Sequence, residues 1–367
     1  MKKQSIFAAV LSGAITLAAM IQPVCALNPT GGATSGKASD LPAAPQITAQ
    51  TAIVMDAQNG LVLYNKSMHQ QMYPASLTKI MTGILAVENG SPSDIITISK
   101  TVTACESKAN ANIALALGEQ ITQQEALYAM FLASANDAAL ALAEHNGGTV
   151  QHFVSLMNSR AAALGALDTH FSNPDGLPDE NNVTSAYDLA VITRHALQMP
   201  ELMKYFSAFS YDLPPTNTHV QDRKFETLQK MMRPDSKYYY SGVIAGKTGW
   251  ETMSGHTLVT AAKRNGITLI CVVLKSSNAS TVYTDTISLL DYCYGSSGRL
   301  EAAAVKAQPA VSSTAQSTQS EVTPVEKTAA LPATDTSGVN FPLVAAGLLI
   351  FVAILLFLAL VFKKTRS

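Results

Sequence analysis

Charge is scarce in this chain: Asp, Glu, Lys and Arg make up 14% of its 367 residues, where a globular protein carries about a quarter. The 25 basic and 26 acidic groups nearly cancel, leaving −1. Nothing in that balance draws in a polyanion over long range, which argues against nucleic acid as a partner. Four cysteines with no CxxC pair make neither a disulfide scaffold nor a thiolate zinc site. HExxH, the P-loop and a strand-to-helix GxGxxG are all missing, and the seven histidines are scattered. No metal or other cofactor is implied.

The shortage of charge is concentrated at the two ends. Lys2 and Lys3 precede an apolar run from Ile6 to Ile21, and Val24-Cys25-Ala26 places small residues before a cut, so residues 1–26 read as a secretory signal peptide. The run is short and interrupted by Ser12 and Gly13, which favours cleavage over a retained anchor. Removing it leaves Cys105, Cys271 and Cys293, three thiols that cannot all pair and read as buried and reduced. Residues 27–45 are a flexible leader rich in small residues. At the other end, Phe341 to Phe362 contains no charge. At ~1.5 Å per residue it is long enough for the ~30 Å hydrocarbon core, and it reads as a transmembrane helix. Lys363, Lys364 and Arg366 follow in a cytoplasmic tail, 363–367, giving type I topology with the body outside a bacterial cell membrane. Residues 296–340, poor in aromatics, cannot offset their ordering entropy and read as a disordered stalk. Within it, Leu331-Pro332-Ala333-Thr334-Asp335 resembles a sortase sorting signal, with Asp335 where glycine is expected. Membrane retention is the default and wall attachment the lesser alternative.

Residues 46–295 remain as one folded body. Thr51 to Asp56 and Leu61 to Asn65 flank Asn59-Gly60, a type I′ hairpin signal; His256 to Lys263 and Ile267 to Lys275 flank a second, Asn265-Gly266. Between them, Leu77, Ile80, Met81, Ile84 and Leu85 recur at helical spacing, and Thr122-Gln123-Gln124-Glu125 is a capping box before a helix through Leu132. Further helices are expected over 138–145, 150–164, 185–198 and 281–294. Strands at both ends with helices between define an α+β plan: an antiparallel sheet flanked by helices, plus a helical subdomain.

Ser76-Leu77-Thr78-Lys79 is the only serine with a lysine three residues later. Pro74 suits a helix start, and a spacing of three puts both side chains on one face. A serine hydroxyl needs a base, and a lysine serves if desolvation or a neighbouring cation lowers its pKa toward ~7–8. Lys247 supplies such a cation, in Lys247-Thr248-Gly249, which a strand over 243–245 enters. Ser134-Ala135-Asn136 sits between two helices; taken singly, its polar groups are more often helix caps than catalysts.

In this order, 58 and 113 residues apart, the segments resemble the SxxK, SxN and KTG set of penicillin-recognising serine acyltransferases. Tyr73-Pro74-Ala75-Ser76, Ser134-Ala135-Asn136-Asp137-Ala138, Asn173-Pro174-Asp175-Gly176-Leu177-Pro178 and Ala245-Gly246-Lys247-Thr248-Gly249 narrow the resemblance to the low-molecular-mass D-alanyl-D-alanine carboxypeptidases, peptidase family S11. It covers about residues 46–295 and implies the serine β-lactamase/penicillin-binding-protein transpeptidase-like fold. It also implies removal of the terminal D-alanine from peptidoglycan stem peptides through an acyl-enzyme, and acylation by β-lactams. By resemblance, Ser76 is the nucleophile, Lys79 its base and Ser134 the proton carrier to the leaving group. Asn136, Lys247, Thr248 and Gly249 bind substrate, and the backbone N–H groups of Ser76 and Trp250 form the oxyanion hole. Trp250 stands where many relatives have histidine, and a stalk with a membrane span replaces the second domain of better-known members.

Two rival readings share these motifs. A class A-like β-lactamase needs a glutamate to activate the deacylating water, and residues 170–178 contain none. A non-catalytic, surface-anchored binder of peptidoglycan or β-lactam would keep the pocket without the turnover.

Overall fold

The computed structural model describes residues 43–106 and 111–307. The signal peptide, most of the stalk, the sorting-like segment, the apolar run 341–362 and the basic tail lie outside the described residues. Among those described, no helix is long and apolar enough to cross a membrane.

The strands are β1 (Thr51–Asp56), β2 (Val62–Lys66), β3 (Ile95–Thr97), β4 (Gln120–Thr122), β5 (Ser210–Leu213), β6 (Arg223–Glu226), β7 (Val243–Glu251), β8 (Gly255–Arg264) and β9 (Ile267–Ser276). The helices are α1 (Lys79–Asn89), α2 (Lys100–Glu106), α3 (Gln123–Leu132), α4 (Asn136–Gly147), α5 (Val150–Ala163), α6 (Ala186–Ala196), α7 (Pro200–Phe206) and α8 (Thr281–Ala307). Five strands form one antiparallel sheet in the order β2-β1-β9-β8-β7; β3 with β4, and β5 with β6, make two small two-stranded antiparallel sheets. The two ends of the folded body thus build the sheet, and the stretch between them builds the helical subdomain, as the α+β plan requires.

Period-two alternation along the strands divides the core. Ile53, Met55, Val259, Ala261, Ile270 and Val272 face the helical subdomain and join its core. Ala52, Val54, Leu258, Cys271 and Val273 face the other way, onto Leu289, Leu290 and Cys293 of α8. Both cysteines are buried free thiols, and burial pushes each above the ordinary thiol pKa. That keeps them protonated and unreactive.

The turns divide the two hairpin signals. Asn265 and Gly266 both adopt positive φ (52° and 84°), as a type I′ turn requires. At the first hairpin only Gly60 does (φ 79°), so the expected type I′ turn is replaced by a longer loop. Asp56 accepts the N–H groups of Gln58 and Asn59, and Asn59 accepts that of Leu61, which winds residues 57–60 before β2. The capping box on α3 forms as expected, Thr122 and Glu125 each accepting the other's backbone N–H. The last helix runs to Ala307 and so takes in the first twelve residues, 296–307, of the expected stalk. Beyond Gly295-Ser296-Ser297-Gly298, which are poor helix formers, Leu300-Glu301-Ala302-Ala303-Ala304-Val305-Lys306-Ala307 is dominated by strong ones, which a reading based on lack of core material underweights.

Candidate active site

Ser76 does not sit in the α-helix that the spacing suggested. Ala75–Thr78 forms a 3-10 turn, and α1 begins at Lys79. Three residues per turn place Ser76 and Lys79 one above the other, and Lys79 Nζ donates to Ser76 Oγ at 3.1 Å. The same amine donates to Asn136 Oδ1 at 2.6 Å and to the carbonyl of Asp175 at 2.5 Å. All three N–H bonds of an ammonium therefore have acceptors. Lys79 is fully buried.

The second pair comes from far along the chain. Lys247 Nζ donates to Ser134 Oγ and to the Thr248 carbonyl, both at 2.9 Å. Neither Ser134 nor Asn136 caps α4: its N-cap, Ala135, makes no side-chain cap bond. Their side chains go instead to the two lysines, Asn136 to Lys79 and Ser134 to Lys247. The expected strand over 243–245 extends through the whole KTG segment as β7, the edge strand of the sheet. Register pairs Lys247 with Val259 and Gly249 with Thr257, so both face the helical subdomain.

Backbone strain surrounds the nucleophile. Ala75 (φ 51°) and Ser134 (φ 57°) hold left-handed conformations that cost a residue with a Cβ about 1–3 kcal/mol. Close approach explains two glycines. A Cβ on Gly249 would lie 3.1 Å from Ser76 N and 2.4 Å from Thr257 Oγ1; one on Gly176 (φ 84°) would lie 1.9 Å from the Ala75 carbonyl oxygen. Thr257 Oγ1 donates to the Pro74 carbonyl at 3.2 Å, tying β8 to the same turn.

Burial lowers Lys79 to a pKa of about 8, while Asp175, Glu251 and Asp137 pull it back upward. Of the two causes expected from sequence, desolvation is the largest acting on Lys79. The like-charge effect falls on Lys247, which burial and then Lys79 push well below the ordinary lysine value.

Ser76, Ser134, Asn136, Thr248, Gly249 and Trp250 line one cavity of about 450 Å³. Trp250 is 56% exposed on its rim beside His256. The structure thus gathers the serine, lysine and asparagine side chains predicted from sequence. Three contributors escaped that reading. The Asp175 carbonyl acts through backbone, which no side-chain motif announces. Asp137, buried, accepts the N–H groups of Ile113 and Leu115 and so shapes the loop whose Ala111 carbonyl accepts Asn136 N–H. Lys230 reaches the cavity wall from a segment that carries none of the three motifs.

That loop has a second brace. Glu119, fully buried, accepts from Ala116 N–H, from Thr216 and, in a short contact, from Arg223, whose other nitrogen donates to the Ile113 carbonyl. Replacing Arg223 with methionine removes one charged partner from buried Glu119, which keeps Ala116 N–H, Thr216 and His219, and should cost about 1–3 kcal/mol, read as a lower midpoint in urea unfolding with an unchanged m-value.

An antiparallel sheet and a helical subdomain with two serine–lysine pairs at their junction define a class: the α+β serine acyltransferase fold of the penicillin-binding proteins. The chain belongs to the D-alanyl-D-alanine carboxypeptidase family, peptidase S11, whose model matches residues 38–278. It is 32% identical over 250 residues to the Bacillus subtilis D-alanyl-D-alanine carboxypeptidase DacF, covering 67% of this chain and 62% of that one. With Mycobacterium tuberculosis DacB2 it shares 31% over 257 residues, covering 68% of this chain and 83% of the relative. A serine-to-alanine variant of a Streptomyces DD-transpeptidase superposes with a TM-score of 0.65 at 27% identity, covering 68% of this chain and 99% of that one. The chain spans about three fifths of the length of the Bacillus, Haemophilus and Escherichia relatives (62%, 58% and 61%).

Proposed function

We propose that this protein is a serine D-Ala-D-Ala carboxypeptidase that removes the terminal D-alanine of peptidoglycan stem peptides and is acylated by β-lactams. The observation that carries this is the contact of a buried, partly neutral Lys79 amine with Ser76 Oγ. In this reading Lys79 takes the serine proton as Ser76 attacks the penultimate carbonyl. Asn136 holds Lys79 and the acyl-side amide. Ser134, bonded to Lys247, passes a proton to the leaving amine, and Lys247 with Thr248 and Gly249 receives the terminal carboxylate. Arrival of that anion favours the protonated form of Lys247, which burial disfavours. The backbone N–H groups of Ser76 and Trp250 serve the oxyanion; losing such a donor typically costs about 10²–10³ in rate. Water then releases the acyl group.

The uncharged run 341–362 with its basic tail supports anchoring in the cell membrane, and the basic, apolar start supports export, placing the active site outside the cell.

The test is mass spectrometry after exposure to benzylpenicillin and, separately, to a peptide ending in D-Ala-D-Ala. One penicilloyl group on Ser76 and release of D-alanine are expected, and both should vanish in Ser76→Ala. A long-lived penicilloyl adduct separates this reading from a β-lactamase. An adduct without D-alanine release would favour the non-catalytic binder.

A further inference from the structure

Release of the acyl group asks for two proton transfers: water must lose a proton, and Ser76 Oγ must gain one. Lys79 Nζ stands 3.1 Å from Ser76 Oγ and is placed to supply the second. A separate acceptor for the water's proton leaves that amine free to donate.

Glu251 is a carboxylate that acylation does not use. Positions 247, 249 and 251 share one face of β7. Gly249 approaches the nucleophile most closely of the three, since a Cβ there would lie 3.1 Å from Ser76 N. Lys247 is two residues to one side of it and Glu251 two to the other, each about 7 Å along the strand. The leaving-group cation and this carboxylate therefore flank Ser76.

Glu251, Leu177 and Pro178 line both the catalytic cavity and a small one that reaches Ala75 and Gly176. The small cavity, about 10 Å³, has room for one water. The stretch 170–178 has no glutamate of its own, and the end of β7 brings one to it from the facing wall. The Glu251 carboxylate joins no ion pair among the described residues. What fixes the residue is its backbone, whose N–H donates to Ser254 Oγ at 3.0 Å. Burial raises its pKa above the ordinary carboxylate value, Lys79 draws it back down, and Asp175 raises it further. A raised pKa makes the stronger proton acceptor.

We propose that Glu251 is the general base of deacylation, holding a water in the small cavity and taking a proton from it as that water attacks the Ser76 ester. This rests on the acyl-transfer reading above. The water oxygen bonds to the acyl carbon and the C–Oγ bond breaks. Ser76 Oγ takes a proton from Lys79, and the proton held by Glu251 replaces it, so both residues return to their starting forms. The stem peptide departs with a new carboxyl group.

The full-length protein and its Glu251→Gln variant are given a peptide ending in D-Ala-D-Ala. kcat/KM reports acylation, whereas kcat reports the slower of acylation and deacylation. In the variant kcat should fall about 10²-fold, within the range for losing a general base. KM should fall with it, leaving kcat/KM within about threefold. Mass spectrometry during turnover should find most of the variant carrying the peptidyl ester on Ser76. Penicilloylation of Ser76, which uses no water, should keep its rate and shows that the variant is folded. Glu251→Asp, which keeps a carboxylate, should recover part of the lost kcat. An unchanged kcat overturns the inference. So does a fall in kcat/KM equal to that in kcat, which would mark Glu251 as acting on binding or through Lys79. Both results leave D-alanine release and the penicilloyl adduct of the wild type standing. Absence of those two overturns the acyl-transfer reading and this inference with it.

Discussion

Replacing Lys79 with methionine should lower kcat/KM for D-alanine release, and the rate of penicillin acylation, by about 10³–10⁴, the upper range for losing a general base. Methionine keeps length and apolar bulk but cannot accept the Ser76 proton. Lys79→Arg should be as inactive, because a guanidinium does not deprotonate; activity in that variant would show that charge alone suffices. The wild-type pH profile carries the complementary signature. Only the neutral amine accepts a proton, so kcat/KM should climb with pH and level off above about 8, the value to which burial brings Lys79. Stability follows the same shift. With a folded value of about 8 and an ordinary one of 10.5, the unfolded chain binds more protons between them. Stability should therefore rise with pH across that window and lose this contribution as pH falls through about 8. A profile flat from pH 6 to 10 would remove Lys79 as the base.

The second large effect is expected far from any titrating group. Gly176→Ala must place a methyl where the Ala75 carbonyl oxygen stands, in a backbone conformation (φ 84°) that disfavours a Cβ. The left-handed conformation alone costs about 1–2 kcal/mol. Relieving the backbone clash requires Ala75 and the wall at Pro174-Asp175 to part. Ser76 N, 2.9 Å from the added carbon, moves with them. A total loss of about 3 kcal/mol or more in unfolding free energy is expected. Penicillin acylation should slow by about 10², because a misplacement near 1 Å costs that much in a positioned reaction. Gly118→Ala is the control: φ there is 76° but no atom lies within 4 Å of the added carbon. It should show the conformational cost without the loss of acylation. If Gly176→Ala acylates like wild type, the wall does not hold the nucleophile.

The elements most legible in the sequence are those with a strong local cause. The bounds of β1 and of capped α3 match expectation because alternation and a capping box act within a few residues. Other elements went unread: β3 with β4, α2, α7 and the β5–β6 hairpin. Each is short, and tertiary contact supports it more than propensity does: α7 lodges Leu202 and Phe206 in the core, and Arg223 of β6 is tied to Glu119. At Asn59-Gly60 the local signal was overruled, since the Asp56 carboxylate offers the loop a different set of acceptors.

The sequence by itself determined which chemical groups are available: one serine with a lysine a turn away, a second serine with its asparagine, and a lysine between glycines. It determined that pattern because side-chain type and short spacing are local properties. Only the tertiary structure decided which amine touches which hydroxyl. Lys79 reaches Asn136 across 57 residues and Lys247 reaches Ser134 across 113. It also decided how deeply Lys79 is buried, the largest cause of its lowered pKa. Desolvation depends on everything packed around an atom, and no stretch of chain carries that sum.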